Sequence, residues 1–450
     1  MSTVNTSVRR LPEENRGWPA AAPSARSRKS PSPRVSYVMS RFPKLTETFV
    51  LYEILALEKL GIEVQIYPLM RERQAVSHPE VDKLLPRVRF LPFLSLPIVR
   101  AQVHFLRRKP AEYLGALRDV LRGTWGSANF FFGALGIFPK VVRFAYEIQK
   151  GGIGHIHCHF ASHPALAGFI IHRLTGIPFS FTAHGSDLHV ERRFLNRKVR
   201  EAAFVVTVSA YNKELIVREC GEDVREKIHV IHCGVDPEVF RPLPQRMKDG
   251  PPRILCVASF EEVKGHAYLV EACRLLRARG TQFVCDFVGD GPLRRTVENQ
   301  IKQANLESVI RVHGARSRPE IARMMAEADI MVLPSVPTRS GKREGVPVVL
   351  MEAMASELPV VSSELSGIPE LVDNGRTGLL TPPRDVSALA DALQTLLQNA
   401  ELRFQMGRLG REKVFWEFNL HRSAETLSKL FPQQVSGAIP SPVPSAFGDQ

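Results

Sequence analysis

Short apolar runs alternate with helical patterns along most of the chain, and this alternation occurs twice. Runs of about four to eight apolar residues predict buried strands, and apolar residues spaced i, i+3 and i+4 predict amphipathic helices between them. In the first half the predicted strands are Val35–Met39, Glu63–Tyr67, Ile153–Phe160, Phe179–Ala183, Phe204–Val208 and Ile228–His232. In the second half they are Arg253–Ala258, Phe283–Val288, Ile310–His313, Ile330–Leu333, Pro359–Ser362 and Gly378–Leu380.

Helical patterns fill the segments between these strands. Leu45–Leu60 and Ala161–Leu174 are predicted helices, and Gly61 and Gly176 mark where they end. In the second half the predicted helices are Gly265–Arg279, Leu293–Ala304, Arg318–Ala328, Pro347–Ala355 and Val386–Gln398. Alternating strands and helices predict an α/β protein whose doubly wound parallel sheets carry helices on both faces.

The length of 450 residues exceeds what one hydrophobic core usually supports, so we expect two domains. A proline-rich stretch at 237–252 indicates a hinge between them. The predicted organisation is a tail without structure at 1–33, domains at 34–236 and 253–415, a last helix at 416–433 that packs back on the first domain, and a second tail at 434–450. Open parallel sheets bind ligands beyond the carboxyl ends of their strands, which places the site in the cleft between the domains.

The net charge of +14 is uneven, because residues 1–34 and 100–150 carry most of the excess. The second of these segments lies among apolar and aromatic neighbours, as in 90–94 and 130–132. Such a mixture suits an anionic bilayer surface, and the alternative is a solvated basic face over an ordinary core. We expect no nucleic acid partner, because no helix-turn-helix, zinc-finger or RNA-recognition signature accompanies the charge.

Cysteine usage and hydropathy indicate the compartment. The six cysteines stand singly, without a C-x-x-C pair, which predicts reduced thiols rather than a disulfide framework. No uninterrupted apolar run reaches the roughly 18 residues of a membrane span, and the N-terminal region lacks the apolar core of a secretory signal. The prediction is a cytoplasmic protein that is peripheral on the cytoplasmic face of the membrane.

The segment Glu344-Gly-Val-Pro-Val-Val-Leu-Met-Glu352 carries two glutamates at the predicted start of a helix. Pro347 suits the first helical turn, and a helix beginning there directs free N–H groups and a positive dipole end at the cleft, which favours a diphosphate. Eight helical residues rise about 12 Å, more than a glycosidase acid–base pair allows. We therefore expect the glutamates to contact different parts of one extended ligand, the alternative being two solvated glutamates beside a core helix.

In these motifs the chain resembles the retaining glycosyltransferases of family 4, which have the GT-B fold of two Rossmann-like domains facing across a cleft. The resemblance covers about residues 35–432 and is densest across 257–265, 288–293, 326–335, 344–355 and 367–380. Ser40-Arg-Phe-Pro-Lys-Leu-Thr-Glu-Thr-Phe49 is similar to the opening motif of exopolysaccharide enzymes of the colanic acid and amylovoran type. The resemblance implies an acceptor-side N-terminal domain and a C-terminal domain that binds the nucleotide sugar.

The resemblance also implies roles for residues at matching positions. Glu344 would contact hydroxyls of the donor sugar, and His184 would reach the same sugar from the N-terminal domain. Lys264 would neutralise charge on the departing diphosphate, and Glu352 would accept hydrogen bonds from the ribose. The other expected donor-binding residues are Ser259, Gly291, Gly345, Val346, Pro347 and Gly367, and the expected acceptor-side or cleft residues are Arg41, Lys44 and His159.

Ser259 departs from the family pattern, which usually has at this position an arginine that grips the diphosphate. A charge-assisted hydrogen bond of that kind contributes about 1.5–3 kcal/mol. Either another cation compensates or the enzyme is weakened. The candidate cations are Arg339, Lys342 and Arg343, near in sequence to Glu344, and Arg41 and Lys44 across the cleft.

His155, His157 and His159 alternate along a predicted strand in the manner of metal ligands. Alternate strand residues lie about 6.6 Å apart, too far for three of them to hold one ion without bending. We expect no metal or other cofactor, the nucleotide diphosphate sugar being a co-substrate. The resemblance implies a retaining hexosyltransferase that acts on a glycan or polyprenyl-diphosphate-linked acceptor in surface polysaccharide biosynthesis. The alternatives are a catalytically silent nucleotide-sugar-binding homologue and a nucleotide-sugar epimerase.

Overall fold

A computed structural model of the protein describes residues 33–44, 47–72, 80–93, 95–242 and 250–432. Within these ranges the strands form two six-stranded sheets, one in each half of the chain. The predicted tails, except for residue 33, lie outside the described residues, and so do residues 243–249 of the predicted hinge.

The N-terminal sheet is parallel throughout, in the order β2-β1-β3-β4-β5-β6. Its strands are β1 (Arg34–Phe42), β2 (Glu63–Arg71), β3 (His155–His159), β4 (Phe179–Ala183), β5 (Phe204–Thr207) and β6 (Ile228–Val230). Its helices are α1 (Thr48–Lys59), α2 (Val81–Leu84), α3 (Leu96–Arg108), α4 (Pro110–Thr124), α5 (Ala128–Lys150), α6 (His163–Thr175), α7 (Ser186–His189), α8 (Leu195–Glu201) and α9 (Ala210–Cys220). The central strands β3 and β4 are buried on both faces, as parallel sheets covered by helices are.

Helix α5 alone among the described helices is long and apolar enough to span a membrane by length and composition. Lys140 and Arg143 interrupt the apolar residues of this helix, so the sequence has no unbroken apolar run of that length here. Half of its most apolar stretch is buried inside the protein, and Phe138, Val141 and Phe144 belong to the core of the N-terminal half. This pattern is that of a helix packed within a domain.

The C-terminal sheet is also parallel, in the order β12-β11-β10-β7-β8-β9. Its strands are β7 (Arg253–Val257), β8 (Val284–Val288), β9 (Ile310–Val312), β10 (Ile330–Leu333), β11 (Val360–Ser363) and β12 (Gly378–Thr381). The helices that follow β7 are α10 (His266–Ala278), α11 (Arg294–Gln303), α12 (Arg318–Glu327), α13 (Val348–Ala355), α14 (Ile368–Leu371), α15 (Val386–Gln398), α16 (Ala400–Glu417) and α17 (Leu420–Leu430). Two doubly wound parallel sheets were predicted, and the structure confirms them.

Each sheet has a switch point where successive connections leave in opposite directions. In the N-terminal sheet it lies between β1 and β3, and in the C-terminal sheet between β7 and β10. Open parallel sheets bind ligands in the crevice beyond the carboxyl ends of such strands. The four strands end at Phe42, His159, Val257 and Leu333, so the loops after these residues define where a site is expected.

The last helix returns to the N-terminal half. Leu420 and Leu427 of α17 are buried in the same apolar cluster as Leu57 of α1. The chain that leaves β6 and the chain that enters α17 pair side by side, since Val235 N–H donates to the Phe418 carbonyl at 2.9 Å and Leu420 N–H donates to the Val235 carbonyl at 3.1 Å. Two adjacent crossings therefore join the halves.

Candidate functional site

His184 lies at the end of β4 and is held there by Asp187. The Asp187 carboxylate accepts hydrogen bonds from the N–H groups of His184 at 3.1 Å and of Gly185 at 2.8 Å, and from that of Ala161, after β3, at 2.6 Å. Burial raises the pKa of Asp187, and these N–H donors oppose the rise. One carboxylate thus ties together the loops that follow two neighbouring strands.

Aromatic rings enclose the His184 side chain. Its ring centroid lies 4.7 Å from those of Phe49 and Phe160, and its Nε2 lies 3.0 Å from Nδ1 of His159. Burial lowers the pKa of His184 well below its ordinary value, and the neighbouring His159 lowers it further. The ring is therefore a neutral imidazole that can exchange hydrogen bonds with an uncharged ligand.

The C-terminal half contributes an ion pair, in which Lys264 Nζ lies 2.7 Å from Glu344 Oε1. Lys264 ends a short 3₁₀ turn after β7, and Gly265 follows it with a left-handed φ of 72°. A Cβ at Gly265 would lie only 1.8 Å from the Pro334 carbonyl oxygen, in the loop after β10. Glycine is thus required at this position for two reasons: the turn needs a left-handed φ, and the two loops approach too closely for a side chain. This close approach brings Lys264 and Glu344 together.

A second lysine–glutamate pair lies beside Ser259. The Ser259 hydroxyl donates to Glu261 Oε1 at 3.3 Å, and Lys342 Nζ lies 2.6 Å from Glu261 Oε2. Although burial acts to raise the pKa of Glu261, Lys342 and Lys264 overcome that effect, and the pKa is lowered. Lys342 is thus the candidate cation that the structure places next to Ser259.

The other candidate cations have different partners. Arg339 donates its backbone N–H to Glu262 at 3.4 Å, and Arg343 donates to the Tyr211 hydroxyl at 3.3 Å. Arg41 and Lys44 form ion pairs with carboxylates of their own half, Glu72 and Glu47 respectively. The structure does not bring these four side chains to Ser259.

Glu352 lies in the second turn of α13, where burial raises the pKa of its carboxyl to about 7 and Arg318 opposes the rise. Arg318 begins α12 and crosses to the other half, with its guanidinium carbon 3.9 Å from the centroid of the Tyr52 ring in α1. Sequence reasoning missed Arg318, because its only local signal was the start of a helix. Such a residue is found only once the two halves are placed together.

The segment before α13 corrects one detail of the prediction. Pro347 is the residue that caps α13 rather than part of its first turn, and Glu344 lies four residues before the helix begins. Helical rise therefore does not separate Glu344 from Glu352. Val346 is buried beside Gly367. A Cβ added at Gly367 would lie 2.8 Å from Cγ2 of Val346.

The two halves touch at this site. A Cβ at Gly345 would lie 2.1 Å from the carbonyl oxygen of His184, so the backbones of the two halves are in direct contact there. Nearby, the Glu370 carboxylate accepts hydrogen bonds from the N–H groups of Ala210 at 2.8 Å and Tyr211 at 2.9 Å, at the start of α9. A carboxylate at a helix N-terminus is favourable, so Glu370 joins the halves beside the site.

The remaining predicted residues lie near these pairs or behind them. Gly291 packs against the backbone of Phe260, which would lie 2.7 Å from an added Cβ, so the loop after β8 rests on the loop that carries Ser259. His159 is completely buried and meets the cleft only through His184. Its neighbour His157 is buried too, with ring nitrogens 2.8 Å from the Ser180 hydroxyl and 3.0 Å from that of Thr182.

Known proteins match this arrangement in both halves. The model of Glycosyltransferase Family 4 matches residues 46–239, and that of glycosyl transferases group 1 matches residues 243–413. WcaL of Escherichia coli, whose name assigns it to colanic acid biosynthesis as a glycosyltransferase, is 31% identical over 403 residues, which cover 86% of this chain and 96% of WcaL. The chain belongs to the family 4 glycosyltransferases.

Two further comparisons agree with this assignment. The glycosyltransferase is 29% identical over 420 residues to the amylovoran biosynthesis glycosyltransferase AmsK of Erwinia amylovora, with 88% of this chain and 98% of AmsK covered. HepE of Anabaena, whose crystal structure contains UDP and glucose, has a TM-score of 0.65 at 17% identity, covering 88% of this chain and 98% of HepE. The GT-B fold is confirmed, and the relatives' names support a glycosyltransferase rather than the silent homologue or the epimerase.

Proposed function

We propose that this glycosyltransferase moves a hexose-type sugar, with retention of configuration, from a nucleotide diphosphate sugar to a glycan or polyprenyl-diphosphate-linked acceptor in surface polysaccharide biosynthesis. The observation that carries the proposal is the Lys264–Glu344 pair at the switch point of the C-terminal sheet. A departing nucleotide diphosphate gathers negative charge, which a fixed cation stabilises. The UDP in the HepE structure and the polysaccharide names of the relatives support this class of reaction.

Each site residue is expected to contact a different part of the donor. Lys264 and Lys342 face the diphosphate, Glu344 accepts hydrogen bonds from the sugar, Glu352 accepts them from the ribose, and His184 meets the sugar from the opposite wall. We propose that no metal takes part, because the two lysines provide the positive charge that a divalent cation provides in other phosphate sites. EDTA is accordingly expected to leave the rate unchanged.

The proposal is tested by melting the full chain with UDP, GDP, UDP-glucose, UDP-galactose and GDP-mannose. A ligand at 100 times its dissociation constant stabilises the folded state by about 2.7 kcal/mol, so one nucleotide should raise the melting temperature clearly. Lys264→Ala should reduce that shift, whereas Lys302→Ala, on the exposed surface of α11, should not. No shift with any of the five ligands, from folded protein, would favour the silent homologue.

Retention is tested on the product. The nucleotide sugar selected by melting is incubated with lipid-linked oligosaccharides, and the anomeric configuration of the new bond is read by NMR. An axial donor bond should give an axial product bond. Inversion would reject this part of the proposal while leaving the transferase assignment intact.

We also propose that α3 and α4 rest on the anionic cytoplasmic face of a membrane. Helix α3 buries Ile98 and Phe105, while Leu96, with 60% of its surface exposed, and Val99 face outward. The exposed apolar and basic residues of this region are Leu96, Val99, Val103, Leu106, Leu114 and Trp125 with Arg100, Arg107, Arg108, Arg118 and Arg122. An apolar helix face with arginines beside it suits an anionic bilayer.

Vesicle sedimentation separates this proposal from a solvated basic face. Binding to phosphatidylglycerol vesicles should weaken about tenfold or more in the pair Arg100→Glu and Arg107→Glu, since each basic residue contributes about 1 kcal/mol. The pair Arg295→Glu and Lys302→Glu makes the same change in charge on α11 and should bind like the wild type. Binding that salt does not weaken would reject an electrostatic membrane contact.

A further inference from the structure

A chain of buried hydrogen bonds leads from β1 to His184, and the proposed reaction leaves it unexplained. The Tyr37 hydroxyl donates to Glu53 Oε1 at 2.7 Å, and His159 Nε2 lies 3.1 Å from the same oxygen. The other nitrogen of His159, Nδ1, lies 3.0 Å from His184 Nε2. Tyr37 and His159 are completely buried, and the Glu53 side chain is 22% exposed.

The hydrogen bonds of this chain have a defined direction. A carboxylate accepts hydrogen bonds only, so His159 must carry its proton on Nε2, facing Glu53. When both imidazoles are neutral, each has one donor and one acceptor nitrogen, so Nδ1 of His159 accepts and His184 donates from Nε2. The lone pair of His184 is then on Nδ1.

The surroundings of His184 make this nitrogen the one that is available. Phe49 and Phe160 flank the ring, and Nδ1 lies 3.9 Å from the Cys233 sulfur, at the limit for a weak hydrogen bond. Burial raises the pKa of Cys233, so the thiol stays protonated and leaves no charge against the ring. A ligand hydroxyl is a stronger donor than a thiol and would displace it.

We infer that Glu53 and His159 are positioning residues, which hold His184 in the tautomer whose Nδ1 accepts a hydrogen bond from a hydroxyl of the donor sugar. The identity of that hydroxyl rests on the proposed function, whereas the tautomer does not. Reversing the chain would turn Nδ1 into a donor, which cannot accept from a hydroxyl. Glu53 sets the direction because it is the one group in the chain that only accepts.

A metal ion is the competing explanation of this cluster. Ligand atoms of Glu53, His157 and His159 all lie within 4.8 Å of one another. Each ring nitrogen of His157 and His159 already has a hydrogen-bond partner, so binding an ion would break several of these bonds. The hydrogen-bonded chain accounts for the same atoms without an ion.

NMR of the full chain labelled with ¹⁵N-histidine tests the inference without any ligand. The wild type should show His184 protonated on Nε2, its signal being assigned by its loss in His184→Gln. Glu53→Met removes the acceptor that both Tyr37 and His159 use, so the direction of the chain is no longer fixed and His184 should shift toward protonation on Nδ1. Glu53→Asp keeps a carboxylate and should retain the wild-type tautomer.

Kinetics then show whether the tautomer matters. The kinetics use the nucleotide sugar that gives the largest melting shift. Glu53→Met should lower kcat about tenfold while KM for that donor changes little, because one hydrogen bond is lost in the transition state. Ser180→Ala is the matched control, because the Ser180 hydroxyl bonds His155 and His157 in the same core without touching His184. It should keep both the tautomer and kcat.

Three results would overturn the inference. One is a wild-type His184 protonated on Nδ1, which needs no variant to observe. Another is a Glu53→Met protein with unchanged tautomer and unchanged kcat, and the third is a stoichiometric metal that this variant loses. If the tautomer shifts as expected but no nucleotide sugar binds, the positioning role stands and the proposed function fails.

Discussion

The two walls of the cleft differ in how they carry polar groups. The N-terminal wall presents one neutral imidazole, His184, enclosed by aromatic rings and supported from behind by buried hydrogen bonds. The C-terminal wall presents charges in pairs, Lys264 with Glu344 and Lys342 with Glu261. Both walls stand beyond the carboxyl ends of strands in a parallel six-stranded sheet, so the difference lies in side chains and not in architecture.

This difference matches the two ends of a nucleotide diphosphate sugar. A diphosphate needs cations that are partly solvated and held in place, and paired lysines fit that need. A sugar hydroxyl needs only a hydrogen-bond acceptor or donor, and the neutral imidazole of His184 supplies one from the opposite wall. While the donor is absent, the carboxylates of Glu344 and Glu261 neutralise the charges of the two lysines on the C-terminal wall.

Removing Glu344 should have the largest effect. In Glu344→Gln the side chain keeps its size but loses the charge that pairs with Lys264 at 2.7 Å. We expect the transfer rate to fall about a hundredfold to a thousandfold, with the melting temperature little changed, as when one fixed polar group is removed from a transition state. Nucleotide release measures the rate, and Glu364→Gln, on an exposed residue, is the control. Full activity in Glu344→Gln would remove this residue from the reaction.

The partly buried carboxyl of Glu352 should make stability depend on pH. Its pKa is about 7 in the folded protein against an ordinary value of 4.5, so the unfolded state loses the proton first and stability falls as the pH rises between these values. The loss should reach about 3 kcal/mol above pH 7. Glu352→Gln should therefore raise the melting temperature at pH 8 and leave it nearly unchanged near pH 4.5.

The same variant should bind the nucleotide less tightly at pH 8, because an amide is a weaker acceptor for ribose hydroxyls than a carboxylate. Melting curves at both pH values, with and without UDP, measure the two effects together. A gain in stability that is equal at pH 4.5 and pH 8 would show that the carboxyl is not the cause.

Contact between the walls can be broken at Gly345. In Gly345→Ala the new methyl would lie 2.1 Å from the His184 carbonyl oxygen, and since that neighbour is backbone, the halves must move apart. A shift of about 1 Å in a reacting group costs about a hundredfold in rate. We expect that loss with a melting temperature close to the wild type. Gly136→Ala, where an added Cβ meets nothing within 4 Å, is the control, and equal rates in both variants would argue against a need for closure.

The same contrast between the halves appears in what the sequence predicts of the fold. In the C-terminal half the predicted strands agree with the structure to within one residue at each end, because their apolar runs are short and bounded by polar residues or glycine. In the N-terminal half β1 runs on through Arg41 to Phe42, which pair with Met70 and Arg71. Pairing with a neighbour, not local composition, extends that strand. Helices α3, α4 and α5 were not given bounds from the sequence, and their apolar residues lie both in the core and on the surface.

Site residues that belong to a sequence motif could be predicted. Residues that contact a motif residue from elsewhere in the fold could not. Lys264 and Glu344 were identified by their resemblance to a family, and they lie together. The role of Asp187 was not identified although part of it is local, since Asp187 bonds two residues of its own loop as well as Ala161 of another. Arg318 and Glu53 were not identified because each acts on a residue of the other half or of another element. No local spacing marks such contacts, since tertiary structure alone brings them together.

Changes at the pair Lys342–Glu261 should give the smallest effect. They also test whether Lys342 replaces the arginine that the family usually has at the position of Ser259. Lys342→Ala should weaken nucleotide binding about tenfold, the loss of one charge-assisted hydrogen bond to phosphate. An arginine at position 259 would lie beside Glu261, where Lys342 now lies, so Ser259→Arg should restore binding in the Lys342→Ala background. In the wild-type background the same change should have little effect, because a cation is already present.

Isothermal titration of UDP into the four proteins measures this cycle directly. Rescue only in the absence of Lys342 would show that the two cations substitute for each other, with the coupling free energy given by the difference between the two effects of Ser259→Arg. An equal gain in both backgrounds would mean that the site lacks a cation even with Lys342 present. The C-terminal wall would then be incomplete as it stands, and the contrast with the N-terminal wall would extend to function.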